Sequence, residues 1–224
     1  SDSAQDITVI REVAEQLGIT HINVHTVSVP DGPNLEARAR HARYAAMPDG
    51  VLTGHTADDQ AETLLINLLR GAGSTGLGAM RPGATRPILN IRRSETEALC
   101  AEHGITPVQD STNTDPRFLR NRIRHELLPL MENLSHRDLV PILNRTAQVL
   151  RDDDDLLYEL AAGLDPTDAI ALANAPTPLA YRALRAWLSD PYPPNLATLD
   201  RILAVARGEA LACDIGENRE IRRS

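Results

Sequence analysis

The chain has 224 residues and a formal net charge of −8, and aromatic residues make up 3% of it. This length allows one large domain or two small ones, with cores built from aliphatic side chains. The acidic balance excludes nucleic-acid binding driven by overall charge, although a local basic patch is compatible with it. All 23 basic residues are Arg, so the chain contains no lysine that could act in catalysis.

The two cysteines, Cys100 and Cys213, lie far apart in a chain that lacks a CxxC motif. This spacing argues against a disulfide framework and against a zinc or iron–sulfur site. No apolar run approaches the roughly 18 residues that a membrane helix needs, and no signal peptide is visible. We therefore expect a cytoplasmic location.

Helices and strands alternate in the first part of the predicted structure. In chain order the pattern predicts a helix over 4–17 that ends at Gly18, a strand over 21–29, a helix over 35–47, a strand over 51–55 and a helix with Thr56 as its N-cap. Such alternation predicts a Rossmann-like α/β fold, with a parallel sheet covered by helices on both faces.

The second part of the chain has a different pattern. A segment rich in glycine and proline over 70–93 precedes a helix for which Ser94 is the expected cap, with Glu97 in the capping-box position. From about Leu127 onward the pattern predicts helices alone. We expect a small all-α domain over 133–224 after a first domain over 1–132. We interpret the DDDD run at 152–155 as a solvated helix face, and 212–224 as a frayed tail or the start of another element.

An acidic cluster follows the second predicted strand. In parallel sheets, ligands bind beyond the carboxyl ends of the strands, which is where His55, Asp58, Asp59 and Glu62 fall. Carboxylates this close repel one another, and a cation among them makes the arrangement tolerable. The cluster therefore indicates a site for Mg²⁺ or an ammonium group beside a nucleotide. The structural alternative is an acidic first turn that complements the helix dipole.

An arginine-rich block over 109–129 is the second candidate site. Arginine forks suit phosphate oxygens, so the block predicts a contact with RNA backbone or pyrophosphate, although an isolated run of this kind is usually a solvated helix face. The segment 81–93, which includes Arg86, Arg92 and Arg93, is a weak signal by itself. The polar residues of the block that we single out are Asp110, Asn113, Asp115, Arg117, Arg120, Asn121, Arg122 and Arg124.

Three stretches taken together resemble the tRNA(Ile)-lysidine synthetases, which belong to the PP-loop ATP pyrophosphatases. They are TGHTADDQAETLLINLLRGAGSTGLGAM, RPILNIRRSE and DSTNTDPRFLRNRIRHELLP, in that order and spacing. The resemblance covers about residues 4–130 well and the remainder more loosely. The DDQAET block is shared in part with tRNA thiolation enzymes of the same superfamily. The RNRIR block favours the lysidine synthetases over those enzymes.

The resemblance implies a ligase that uses ATP and Mg²⁺. Such enzymes adenylate the carbonyl oxygen at carbon 2 of the wobble cytidine in a tRNA(Ile) with a CAU anticodon and release pyrophosphate. The amine of free L-lysine then attacks carbon 2 and displaces AMP to form lysidine. By motif position Asp58, Asp59 and Glu62 would be catalytic, with Asp58 as the Mg²⁺ ligand. Substrate binding would involve His55, Arg86, Asp110 and Asn113. Contacts to phosphates of ATP or tRNA would come from Arg117, Arg120, Asn121, Arg122 and Arg124.

One departure from the family pattern concerns the nucleotide loop. The Ser-Gly-Gly-x-Asp-Ser motif that follows the family's first strand does not occur in this sequence. We expect the first strand, the phosphate loop, a helix and the second strand to lie upstream of Ser1. The alternatives are a PP-loop enzyme that delivers sulfur, or a tRNA-binding remnant without catalysis. The sequence leaves the oligomeric state open, a homodimer included.

Overall fold

A computed structural model describes residues 2–29, 32, 35–107, 115–190, 193–216 and 218–223. The chain divides into two compact units, residues 1–147 and 148–224. Each unit has its own aliphatic core. The domain boundary expected between residues 132 and 133 stays a prediction. Among the described residues, no helix combines the length and the apolar character that crossing a membrane requires.

Helices make up the regular structure in the described part of the first unit. The helix predicted over 4–17 and the helix predicted to begin after Thr56 are both confirmed. The bounds are α1 Asp2–Gln16, α2 Leu35–Ala45, α3 Ala57–Leu69, α4 Ser74–Leu77, α5 Arg93–Glu102, α6 Leu119–Arg122 and α7 Leu128–Ser135, with a π-helical segment Ile123–Leu127 between α6 and α7. A further helix, α8 Leu139–Ala161, contains the division between the units.

The inner face of α3 holds the acidic segment in place. Its buried apolar residues recur at helical spacing and pack against Ile123 and Leu128, which belong to the arginine-rich block, and against Val140 of α8. This apolar contact brings two segments together that lie about 60 residues apart in the chain. The buried apolar residues of α3 are Ala57, Ala61, Leu64 and Leu65.

Two segments predicted as strands, 21–29 and 51–55, are not strands in the described part of the first unit. An alternating pattern reports only which side chains share a face, whereas a strand also needs a hydrogen-bonded neighbour. In the first segment, the apolar side chains of Val24 and Val27 are exposed. In the second segment, the Thr53 N–H donates to the Thr85 carbonyl at 2.8 Å. The predicted parallel sheet is therefore unconfirmed.

The glycine-rich segment after α3 folds back onto that helix. The buried side chain of Gln60 donates from Nε2 to the Met80 carbonyl at 2.7 Å, and its Oε1 accepts from the Met80 N–H at 2.9 Å. Asn67 Nδ2 donates to the Gly76 carbonyl at 2.7 Å. Gly71, with φ of 75°, lets the chain leave the helix in a left-handed conformation. These bonds fix the path of the segment that follows the acidic cluster.

The second unit is built around the C-terminal helices. Its core includes Leu184 of one helix and Leu199, Ile202 and Leu203 of another. Side chains cap two of these helices at their N-termini, Asp168 for the helix that begins at Ala169 and Asn195 for the helix that begins at Leu196. The bounds of the elements after α8 are α9 Ala169–Asn174, α10 Thr177–Trp187, α11 Leu196–Arg207, β1 Ala212–Gly216 and β2 Arg219–Arg222.

The expectation of an all-α second domain is wrong. Strands β1 and β2 form an antiparallel hairpin in which Cys213 pairs with Ile221. Cys213 joins the core, and Ile215 and Ile221 pack against it, so the apolar residues of the hairpin recur with the period of two that suits a strand. Asn218 adopts a φ of 58° in the turn, a conformation that Asn tolerates well. Of the two alternatives for 212–224, the frayed tail is wrong for the described residues 212–216 and 218–222, which form this hairpin.

The DDDD run is only partly a solvated helix face. Asp152 and Asp153 are exposed, but Asp154 is 1% exposed and accepts a hydrogen bond from Arg182 Nη2 of α10 at 2.6 Å. The Arg182 guanidinium also lies over the Tyr158 ring, 5.5 Å from its centre. A buried carboxylate requires a charged partner, and this pair links α8 to α10 within the second unit.

We expect Arg182→Ala to lower the free energy of unfolding by about 3 kcal/mol, because it leaves the Asp154 carboxylate buried without its cation. Urea unfolding followed by circular dichroism measures this change. Arg222→Ala is the control, since Arg222 pairs with Glu220 at the surface, and we expect it to cost less than about 1 kcal/mol. Equal losses from the two substitutions would contradict the assignment.

Candidate active site

Thr56 and Asp59 fix the N-terminus of α3 through a reciprocal capping box. Asp59 Oδ2 accepts from the Thr56 N–H at 2.9 Å and from the Thr56 hydroxyl at 2.8 Å. The Thr56 hydroxyl oxygen in turn faces the Asp59 N–H at 3.5 Å. One carboxylate oxygen of Asp59 is therefore held by the cap, and the other, Oδ1, is turned toward Glu62 and the arginines.

Asp58 caps a different helix from the one on which it lies. Its Oδ2 accepts from the backbone N–H of Arg93, the first residue of α5, at 2.7 Å. The Arg92 guanidinium bonds Asp58 through Nε at 3.3 Å and Asp138 through Nη1 at 2.5 Å. The sequence prediction that Ser94 caps α5 with Glu97 in the capping-box position is wrong. The N-cap is Arg92, whose N–H donates to Glu95 at 2.7 Å, and Asp58 accepts from the next N–H, that of Arg93.

Glu62 is the most deeply buried acidic residue of the cluster, with 1% of its surface exposed. Arg124 binds it as a fork, with Nε 2.7 Å from Oε1 and Nη2 3.1 Å from Oε2. Arg120 Nε lies 3.3 Å from Oε2 and Arg93 Nη2 lies 3.3 Å from Oε1. Three guanidinium groups therefore compensate one buried carboxylate, which makes its burial tolerable.

The arginine-rich block divides into an inner and an outer pair. Arg120 and Arg124, four residues apart, point inward to Glu62. Arg117 and Arg122 are exposed and pair with the nearby acidic residues Asp115 and Glu126. The π-helical segment Ile123–Leu127, which carries Arg124, is a local widening of the helix that often occurs at functional sites.

Asn121 is buried between these arginines. Its Nδ2 donates to the Asp115 carbonyl at 2.9 Å and so closes the turn before α6. Two further residues predicted for the site, Asp110 and Asn113, lie outside the described residues. The structure therefore brings the arginine-rich block to the acidic cluster through Arg120 and Arg124.

His55 comes just before the cap of α3, and Arg86 lies in the loop that follows the glycine-rich segment. His55 Nδ1 lies 2.8 Å from the Thr53 hydroxyl. Burial lowers the pKa of His55 below its ordinary value of 6.5, and nearby arginines including Arg40 and Arg120 lower it further against the opposing effect of Asp59. His55 is therefore neutral at pH 7.

Arg86 lines a cavity of about 220 Å³ together with Tyr44, Thr53 and Thr85. Its Nη1 donates to the Arg81 carbonyl at 3.2 Å. The guanidinium is thus held at the cavity wall by the loop from which it comes. A cavity with a cationic wall and hydroxyl groups suits an anionic or polar ligand.

Comparisons with known proteins show the family to which the chain belongs. Residues 1–131 match the model of a family described as the PP-loop domain. The tRNA(Ile)-lysidine synthase of Nocardia farcinica is 41% identical over 216 residues, which cover 88% of this chain and 68% of that protein. The chain belongs to the tRNA(Ile)-lysidine synthase family of PP-loop proteins.

Two further relatives in this family have the same printed name. The protein of Rhodococcus erythropolis is 45% identical over 198 residues, which cover 80% of this chain and 61% of that protein. The protein of Mycolicibacterium paratuberculosis is 44% identical over 201 residues, which cover 84% and 63%. The chain thus spans between three fifths and about two thirds of the length of these relatives. Membership of the PP-loop family implies an α/β fold of the adenine nucleotide hydrolase type.

Sequence reasoning missed the part played by Arg92 and Arg93. It treated their segment as a weak signal and assumed that the acidic cluster needs a cation from outside the chain. In the structure four guanidinium groups of the chain, those of Arg92, Arg93, Arg120 and Arg124, supply that positive charge. The available signal was the charge balance of the three resembling stretches, which contain these arginines beside the carboxylates.

The pKa of Asp59 gives the cluster a measurable pH dependence. Burial would raise this pKa, but the hydrogen bonds from Thr56 and the charges of Arg93 and Arg120 outweigh burial and hold it below 3.8. The folded state therefore binds fewer protons here than the unfolded state, and stability rises with pH across the interval at and below 3.8. The stabilisation is complete above that interval and is lost as the pH falls through the folded-state pKa.

We expect Asp59→Asn to lower the melting temperature at pH 6, and we expect its difference from the wild type to shrink as the pH falls through the lowered pKa of Asp59. Thermal unfolding between about pH 2.5 and 6 measures the difference. Glu97→Gln, a substitution at an exposed position of α5, is the control. An equal loss of melting temperature at every pH would contradict the depressed pKa.

Proposed function

We propose that this protein joins L-lysine to carbon 2 of the wobble cytidine in a tRNA(Ile) with a CAU anticodon, consumes ATP with release of AMP and pyrophosphate, and so forms lysidine. The modified tRNA then reads AUA in place of AUG. Membership of the lysidine synthase family supports this reaction. We place the reaction at Asp59 and Glu62 because Arg93 Nη2 contacts both carboxylates, at 3.2 and 3.3 Å, and Arg124 Nη2 contacts both at 3.5 and 3.1 Å.

In this proposal Asp59 and Glu62 bind the side-chain amine of lysine. Asp59 Oδ1 and Glu62 Oε1 converge on one point, which Arg93 Nη2 marks at 3.2 and 3.3 Å from them. An ammonium group offers three N–H donors to such a pair of acceptors. The Thr56 cap holds the other oxygen of Asp59, so the facing oxygen keeps its direction. Holding the amine in one orientation is the main contribution that a protein makes to such a displacement.

The arginines are proposed to bind phosphates. Arg117 and Arg122 are exposed, and a tRNA backbone can reach them in place of their surface carboxylate partners. Arg120 and Arg124 are partly exposed, with five N–H donors on each guanidinium, so they fit the phosphates of ATP while they hold Glu62. ATP, when bound, supplies the activation that turns the oxygen on carbon 2 into a leaving group. His55, neutral at pH 7, and Arg86 are proposed to line the substrate cleft.

The carboxylates do not fit a resident magnesium ion. Asp58 is engaged by the Arg93 backbone and by the Arg92 side chain, and Glu62 is engaged by three guanidinium groups. Among the residues that the structure describes, no group of three or more His, Cys, Asp or Glu side chains could hold a metal ion. We therefore propose no step through Mg²⁺ at Asp58.

The roles of the two domains, and the assembly of two copies of the chain into a homodimer, are further parts of the proposal. We propose that residues 1–132 bind the nucleotide and that residues 133–224 contribute to tRNA binding.

For the sulfur-transfer alternative, Cys213 offers no support, because burial raises the pKa of its thiol and it packs in the core of the second unit.

We expect Glu62→Gln to reduce lysidine formation by about 100-fold or more, because it removes the charge that holds both the amine and the inner arginines. The assay incubates tRNA(Ile) with ATP and labelled lysine and measures incorporation into the tRNA. Normal turnover would contradict the assignment of Glu62.

Two further variants separate catalysis from folding. Glu126→Gln changes an exposed carboxylate that pairs with Arg122, and we expect its activity to stay within about twofold of the wild type. Asp59→Asn keeps the ion pairs of Glu62 and should still lose lysine incorporation. Circular dichroism identifies any variant that loses activity because it does not fold.

A further inference from the structure

Arg93 occupies the point where the substrate amine is proposed to bind. Its Nη2 lies 3.2 Å from Asp59 Oδ1 and 3.3 Å from Glu62 Oε1. An ammonium nitrogen that bonds the same two oxygens would need nearly the same position, and two nitrogen atoms cannot share it. Binding of the amine and this contact of Arg93 therefore exclude one another.

We propose that Arg93 is a specificity-determining residue, whose guanidinium fills the ammonium position between Asp59 and Glu62 until the amine of the substrate displaces it. This inference rests on the proposed function, since it concerns the same pair of carboxylates. It adds a residue to which neither the sequence nor the family resemblance gave a role.

The geometry explains why Arg93 leaves rather than Arg124 or Arg120. Arg124 binds Glu62 as a fork with a contact of 2.7 Å, and Arg120 is also tied to the Thr63 hydroxyl at 2.8 Å. Arg93 reaches the two carboxylates through one nitrogen at longer distances. Single-nitrogen contacts are weaker than bidentate ones. Arg93 is therefore the inner cation that an amine displaces most easily.

The backbone of Arg93 stays in place when its side chain moves. The Arg93 N–H donates to Asp58 Oδ2 at 2.7 Å, and this bond caps α5 independently of the guanidinium. Displacement is thus a side-chain rotation at the start of a fixed helix. It leaves α5 and the Asp58 contact unchanged.

Displacement by a cation keeps the buried charge of Glu62 compensated. Glu62 is 1% exposed, so the loss of a neighbouring cation without a replacement is costly. An ammonium group replaces the lost charge, whereas an uncharged side chain of similar length does not. The exchange therefore selects for a cationic amine over its neutral analogues.

The test measures the binding of L-lysine by calorimetry to the wild-type protein and to Arg93→Gln. We expect Arg93→Gln to bind L-lysine about tenfold more tightly, because the amine no longer competes with a charge-assisted hydrogen bond. L-norleucine, which lacks the terminal ammonium, should show no such gain. Arg93→Met, which keeps an apolar stem, is the second variant if Arg93→Gln does not fold.

Arg145→Gln is the matched control. It removes one positive charge at an exposed position of α8, and we expect the affinity for lysine to change by less than about twofold. An equal gain in Arg145→Gln would show a general charge effect and would overturn the proposal. Unchanged or weaker binding by Arg93→Gln, when the wild type binds lysine, would also overturn it. If no variant and no wild-type protein binds lysine, the amine site of the proposed function fails as well.

Discussion

The burial of the Glu62 carboxylate is the constraint on which the site depends. A carboxylate with 1% exposure is tolerated only when cations are held close to it, and Arg93, Arg120 and Arg124 meet that requirement. These arginines come from two segments of the chain that are far from Glu62 in sequence. Satisfying one buried charge therefore fixes the positions of α5 and of the arginine-rich block relative to α3.

The remaining carboxylates extend this arrangement to the helix termini. Asp59 closes the cap of α3 and Asp58 closes that of α5, so each acidic residue serves a backbone N–H as well as a guanidinium. The apolar face of α3 packs against Ile123 and Val140 directly beneath them. The polar contacts thus lie on a packed aliphatic core, which holds the facing oxygens of Asp59 and Glu62 at fixed positions for a ligand.

The sequence was sufficient for features that depend on local chemistry. Thr56 as the cap of α3 follows from residue type and position, and the acidic and arginine-rich segments follow from composition. The pairing of Arg124 with Glu62, 62 residues apart, depends on packing that no local pattern encodes. The start of α5 at Arg93 depends on both kinds of contact, because Glu95 accepts from the Arg92 N–H three residues away and Asp58 accepts from the Arg93 N–H 35 residues away. The alternating apolar residues of 212–222 could have predicted the β-hairpin of the second unit. The helical pattern of the preceding segments favoured an all-helical prediction instead.

The central claim, that the chain supplies the cations of its own acidic cluster, is tested most directly by a double-mutant cycle on Glu62 and Arg124. Urea unfolding of Glu62→Gln, Arg124→Gln and the double variant gives the coupling free energy. We expect a coupling free energy of about 2 kcal/mol or more, because each single variant leaves its partner's charge poorly compensated. A coupling below about 0.5 kcal/mol would show that the two residues are energetically independent and would contradict the account.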